Sequence, residues 1–307
     1  MGGIAVIDVK LLTLLKVNET GNYTRAAEQL MLTQPAVSQH IKQIEKELGI
    51  TLFVRRGGKI KPTPEGKLAI EYAERVVSLY EHLQQALLDQ KRNINRLRVG
   101  ITHTSESNIV TEVLAKYAEQ NENVSITIKT GTINNLYAML NNYKIDIAIV
   151  EGTVQDPSIN SIMLDTDFLV CAVSNENPLA RKNIVTLDEL KRERLILRLP
   201  NSGTRNLVAA HLESRNISID EFNVTLEVDT IATIKDLVRR NYGVSILPRS
   251  ACMDELKKAK MTVLPIENLS MIREMNILYH KSFSHADILQ DIVKIYNETV
   301  RFYKSGN

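Results

Sequence analysis

Apolar residues recur every three or four positions through Ala26, Ala27 and Leu30, and again through Ala36, Val37, Ile41, Ile44 and Leu48. That spacing predicts two short helices, each with one inward face, joined by a turn that Met31 and Leu32 fill. Asn22 or Thr24 caps the first helix, while Thr33 caps the second, Pro35 enters its first turn and Gly49 stops it. The period then shortens. Leu52–Arg55 and Lys59–Lys61 read as a strand pair turning at Gly57-Gly58. From Thr63-Pro64 a long helix is predicted over Lys67 to Arg92, free of Gly and Pro. Its Tyr72, Val76, Leu79, Leu83 and Ala86 step at coiled-coil spacing. A seam so narrow takes one partner helix, either in its own domain or in a second copy.

After Arg96 strand and helix alternate. Leu97–Ile101, Val124–Lys129 and Ile145–Val150 are β-rich, with helices at Asn108–Gln120 and Asn134–Asn141. A second set follows: strands at Phe168–Val173, Leu195–Leu197, Val224–Val228, Val244–Leu247 and Val263–Leu264, with helices at Gly203–Glu213, Thr233–Arg240 and Ser250–Lys257. A last strand, Met275–Tyr279, precedes a helix from Ala286 to Tyr303. This βαβ rhythm implies parallel strands with right-handed crossovers, and two similar lobes imply a ligand cleft between them.

The polar positions left outward on the second short helix are Gln34, Ser38, Gln39 and Lys42. Gln pairs bidentately with adenine, Ser meets several base edges, and Lys meets guanine or phosphate. Arg25, Thr33 and Pro35 flank the same face, and Arg55, Arg56, Lys59 and Lys61 make the strand pair basic enough to lie on phosphates. An ordinary solvated surface is the plainer reading of one such helix. The caps, the small alanines and the basic strand pair together favour DNA.

With 307 residues the chain has room for two or three domains, and at 44% hydrophobic and 24% charged it has a globular composition. Net charge is only +2, with 13 Lys+Arg against 10 Asp+Glu in residues 1–95 and 25 against 26 beyond them. That argues against a non-specific architectural DNA binder, whose affinity rests on phosphate neutralisation. No stretch of 18 apolar residues and no secretory leader is apparent, so a cytoplasmic protein without membrane contact is expected. Cys171 and Cys252 are far apart, and Cys171 within FLVCAV reads as a small buried hydrophobe. No P-loop, GxGxxG, HExxH or GxSxG occurs, and the six His are scattered. No cofactor, metal or catalytic residue is expected.

AAEQL at Ala26–Leu30, TQPAVSQHI at Thr33–Ile41, IEKELGITLF at Ile44–Phe53, Arg55, and TPEG at Thr63–Gly66 together resemble the winged helix-turn-helix of LysR-type transcriptional regulators. Gly58 stands where that family often has a second Arg, and Pro62 where it often has Leu; Pro62 cannot donate to a ladder and should end its strand. The resemblance implies an α/β protein overall. It places a winged helix-turn-helix at 1–66, a linker helix and hinge at 67–93, and a two-lobe effector domain similar to type II periplasmic binding proteins at 94–307. Lobe I would comprise 94–165 and 270–307, lobe II 166–269, with crossings near Asp165–Asp167 and Ile266–Ser270. It further implies paired linker helices, a homodimer or homotetramer, a two-fold operator in double-stranded DNA, and RNA polymerase as a partner.

Ligands of open α/β sheets sit beyond strand carboxyl ends, often at helix N-termini that favour anions. Three segments qualify, and the family's effector contacts fall in the segments matching them: Thr102, His103, Thr104 and Ser105; Gly131 and Thr132; and Asn201, Ser202, Gly203 and Thr204. Thr230–Ile231 is a fourth candidate. The ligand expected is a small organic or inorganic anion. Simple helix capping is the competing explanation for each hydroxyl. A rival for the whole chain is a two-lobe solute-binding or catalytic protein whose N-terminal helices only mediate assembly.

Overall fold

A computed structural model describes residues 7–56, 59–107, 109–152, 154–283 and 285–305. The chain divides into two compact units. In the first, helices α1 (Val9–Thr20), α2 (Tyr23–Leu30) and α3 (Gln34–Leu48) precede a hairpin of β1 (Phe53–Arg56) and β2 (Lys59–Pro62), and α4 (Pro64–Arg92) follows. Leu14, Val17, Ala26, Ala27, Val37, Ile41, Ile44, Leu52, Ile70 and Ala73 form its core. The side chains of Asn22, Thr33 and Thr63 accept amide hydrogen bonds at the starts of α2, α3 and α4, and Gly49 ends α3 in the left-handed conformation at φ 67°. Pro62 is the last residue of β2. Gly66 is required by close approach: a Cβ there would lie 2.0 Å from the Leu52 carbonyl oxygen.

Three points in this unit differ from the sequence reading. Helix α1 is additional, because its Leu-rich run is apolar on several sides and lacks a clean stripe; it buries Thr13, Leu14 and Val17. Met31 does not fill the turn but takes a left-handed conformation at φ 55° with its side chain 92% exposed. Leu32 alone packs on the core. Leu48 is also exposed, since the last turn of α3 runs past the core. The predicted turn at Gly57-Gly58 lies outside the described residues.

The second unit carries β3 (Asn95–Thr102), α5 (Val110–Gln120), β4 (Val124–Gly131), α6 (Ile133–Asn141), β5 (Ile147–Glu151) and a long β6 (Ile159–Val173). Then come α7 (Leu187–Arg192), β7 (Leu195–Arg198), α8 (Gly203–Glu213), β8 (Val224–Val228), α9 (Ile231–Arg239), β9 (Ser245–Pro248), α10 (Met253–Lys257), β10 (Thr262–Leu264), β11 (Ile272–His280) and α11 (Ala286–Ser305). One sheet runs β10-β6-β11-β5-β3-β4, with β9 also pairing β6. Strand β3 is parallel to β4 and β5, whereas β11 is antiparallel to both β5 and β6. The sheet is therefore mixed, not parallel as the rhythm implied, because β11 returns from the far end of the chain. Strand β7 pairs β8 in parallel and touches Val244 through a single bridge.

Strand β6 gives one end to each lobe. Its first part pairs β11, and its last residues pair β9 and β10. The register with β11 shifts between Met275 and Asn276, where Met163 and Asp165 are the successive partners. A bulge there turns the strand and re-aims the side chains that follow. Each lobe has its own apolar cores, such as Val99, Ile149, Ile277 and Ile292 in lobe I and Val173, Leu195, Val208 and Ile246 in lobe II.

Candidate nucleic-acid interface and ligand cleft

Helix α3 buries Val37, Ile41 and Ile44 and turns Gln34, Gln39 and Lys42 to the outside, all exposed, with Ser38 half-buried beside them. Arg25 on α2, and Thr33 and Pro35 at the start of α3, are also exposed. On the hairpin, Arg55, Lys59 and Lys61 are exposed. Two bonds hold α3 in place. The Thr13 hydroxyl lies 2.9 Å from His40 Nδ1, tying α3 to α1, and Glu45 Oε1 accepts 2.8 Å from the Leu52 amide, tying α3 to the start of the hairpin. The exposed first turn of α3 thus offers donors and acceptors on a rigid support, with cations alongside on the hairpin.

In the second unit the candidate segments fall at strand carboxyl ends. Thr102 ends β3, Gly131 ends β4, and Asn201 to Thr204 lead into α8 beyond β7. Gly203 faces lobe I closely enough that a Cβ would lie 3.9 Å from Ile133 Cδ1, so the starts of α6 and α8 oppose each other. The capping role is realised at three places: Thr132, Ser202 and Thr230 accept from the amides of Asn135, Arg205 and Thr233. Capping uses only an oxygen lone pair, so each O–H remains able to donate. Ile231 is buried in the lobe II core, which leaves its backbone as the part able to meet a ligand. Thr104 is buried and His103 half-buried in the turn after β3.

The hydroxyls of Thr102 and Ser105 have a different partner from the one expected. Both donate to Glu151, at 2.7 Å and 2.9 Å, and Thr102 also takes the Ser105 amide at 3.1 Å. Glu151 ends β5 and faces Arg273 of β11, whose Nη2 lies 3.8 Å from Glu151 and 3.3 Å from Asp167. Asp167 in turn accepts 2.7 Å from the Ser250 hydroxyl of lobe II. Arg198 ends β7, and its charge interacts with those of Asp229, Glu151, Arg273 and Glu106. Burial lowers the Arg198 pKa, a cost that the nearby carboxylates oppose and Arg273 adds to.

Sequence reasoning passed over Glu151, Arg198 and Arg273. A signal existed for the first two: AIVE and LILR each end a buried apolar strand on a charge. Cys171 and Cys252 are free and buried, and burial pushes the Cys252 thiol up to about 12. Among the described residues no group of three or more His, Cys, Asp or Glu could hold a metal ion, and no helix is long and apolar enough to cross a membrane.

Residues 9–67 match the bacterial regulatory helix-turn-helix of the lysR family, and residues 90–300 match the LysR substrate binding domain. The chain belongs to the LysR family. It is a DNA-binding transcriptional regulator with an effector-binding domain. A probable RuBisCO transcriptional regulator of Phaeodactylum tricornutum is 28% identical over 287 residues, covering 90% of this chain and 93% of the relative. The HTH-type transcriptional activator CmpR of Synechocystis is 29% identical over 267 residues, covering 87% and 86%. The fold of this LysR-family chain is similar to that of full-length CbnR complexed with its target DNA, at TM-score 0.66, 18% identity and coverage of 94% and 98%.

Proposed function

We propose that this regulator reads a two-fold operator through the first turns of paired α3 helices and responds to a small anion held between the lobes of its effector domain. Gln34, Ser38 and Gln39 read base edges, while Arg25, Thr33, Pro35, Lys42, Arg55 and Lys59 position the backbone. The observation that carries this reading is the exposed polar face at the start of α3 beside an exposed basic hairpin. CbnR, of the same fold, has been solved with its target DNA.

The exposed seam of α4 joins two copies as a homodimer, or a homotetramer built from two of them. Effector binding then changes affinity for DNA only so far as the ligand prefers one arrangement of the lobes. Contact with RNA polymerase and a cytoplasmic site of action follow from the same regulatory role, and no catalysis is assigned. Fluorescence anisotropy with genomic fragments at physiological salt tests it. A sequence-selective increase is expected at micromolar protein, and equal binding to scrambled DNA would reject it.

A further inference from the structure

Arg198 closes β7 with only 3% of its surface exposed. Its Nη2 lies 3.6 Å from Asp229 Oδ1, beyond ordinary hydrogen-bond length, and the Asp229 side chain is 62% exposed. Its Nε and Nη1 are buried without an acceptor among the described residues. The Thr204 hydroxyl, on a residue 1% exposed at the start of α8, is also buried without a partner among the described residues. A guanidinium stays charged in a protein, so these N–H groups cannot be silenced by losing a proton. Buried donors almost always find acceptors, and an exception calls for a missing one.

The two walls of the cleft differ in how many such donors they hold. On lobe I, Glu151 already receives Thr102 and Ser105 and faces Arg273, which keeps a single unpartnered donor, Nε, among the described residues. On lobe II the donors are in surplus: Arg198 Nε and Nη1, Thr204 Oγ1, and the opening amides of an eleven-residue helix. Gly203 stands beside Thr204 and faces Ile133 of lobe I. The unused donors therefore belong to the interlobe region and not to the outer surface.

We propose that Arg198 and Thr204 receive an oxyanion group of the effector, a carboxylate or a small inorganic oxyanion, at the start of α8. This rests on the interlobe cleft being the effector site, and adds the residues and the chemical group that it recognises. The oxyanion accepts from the Arg198 guanidinium, from the Thr204 hydroxyl and from the first amides of α8. Arg198 is then a ligand-binding residue whose burial disfavours the empty protein.

Thermal unfolding and calorimetric titration of the full-length protein test this with sodium sulfate, sodium phosphate, acetate, lactate and succinate, each against sodium chloride at equal ionic strength. At least one probe is expected to raise Tm saturably, and whether it is inorganic or a carboxylate identifies the source. Arg198→Met is expected to keep or raise the Tm of the empty protein while weakening that probe at least tenfold; Thr204→Val should weaken it about fivefold. Arg198→Gln provides an independent check if the Met variant does not fold. A lower Tm in the empty protein with affinity within twofold of wild type would make Arg198 structural and overturn the inference, leaving the cleft reading intact. No stabilisation by any probe also overturns it; a neutral compound whose binding is lost in Gly203→Leu would still preserve the cleft.

Discussion

The Thr102 hydroxyl donates a 2.7 Å hydrogen bond to Glu151, joining the end of β3 to the end of β5. Ser105 reinforces it at 2.9 Å. These hydroxyls hold a buried carboxylate in place and thereby shape the lobe I wall. Thr102→Val is expected to lower stability by about 1–3 kcal/mol, because one oxygen of Glu151 loses a partner where water does not replace it. Urea unfolding checks this as a lower midpoint at unchanged slope. A midpoint within error of wild type would mean the bond contributes nothing net.

Reading and anchoring are expected to separate in the DNA-binding unit. Gln39 is exposed on α3, and Lys59 is exposed on the hairpin. Gln39→Ala should flatten the preference for operator over scrambled DNA, at a cost of roughly 1–3 kcal/mol on the operator alone. Lys59→Ala should weaken both DNAs alike and reduce the salt slope by about one unit. Binding titrations at several salt concentrations would show whether the two variants differ in this way.

Helix α4 leaves Tyr72, Val76, Leu79, Leu83 and Leu87 exposed along one stripe. Burying a Leu is worth about 1.5–3 kcal/mol, so a charge at the centre of a paired seam is costly. Leu79→Lys with Leu83→Lys should raise the dimer dissociation constant by at least tenfold, read by sedimentation equilibrium. An unchanged mass distribution would place the pairing surface elsewhere.

Acid should weaken lobe II through its capping boxes. Glu189 is held below the ordinary value of 4.5 by the Lys182 ammonium and then by the Thr186 amide, and Glu221 likewise by Lys191 and the Ser218 amide. A carboxylate whose folded pKa is depressed stabilises the fold fully above its unfolded pKa. That stability is lost as pH falls through the folded value, so the window opens near 4.5 and extends downward. Glu189→Gln should be less stable than wild type at neutral pH and converge with it at the acid end. Tm against pH for the two proteins provides the check, and a constant difference across the range would exclude the linkage.

Most of the local structure, and the family, could be read along the chain. Caps at Asn22, Thr33 and Thr63, the stop at Gly49, and apolar spacing across α3 are decided by neighbours within a few residues, so they are visible in one dimension. Helix α1 escaped because a run that is apolar on several sides shows no period. The direction of β11 and the service of β6 to both lobes emerge only once the chain has folded, since pairing partners lie about a hundred residues apart. The cleft divides the same way. Its hydroxyl-rich segments could be read from strand ends, but the commitment of Thr102 to Glu151 and the unmatched Nε and Nη1 of Arg198 depend on atoms brought together across the chain. Burial and hydrogen-bond satisfaction are properties of three-dimensional neighbours, and no spacing along the chain encodes them.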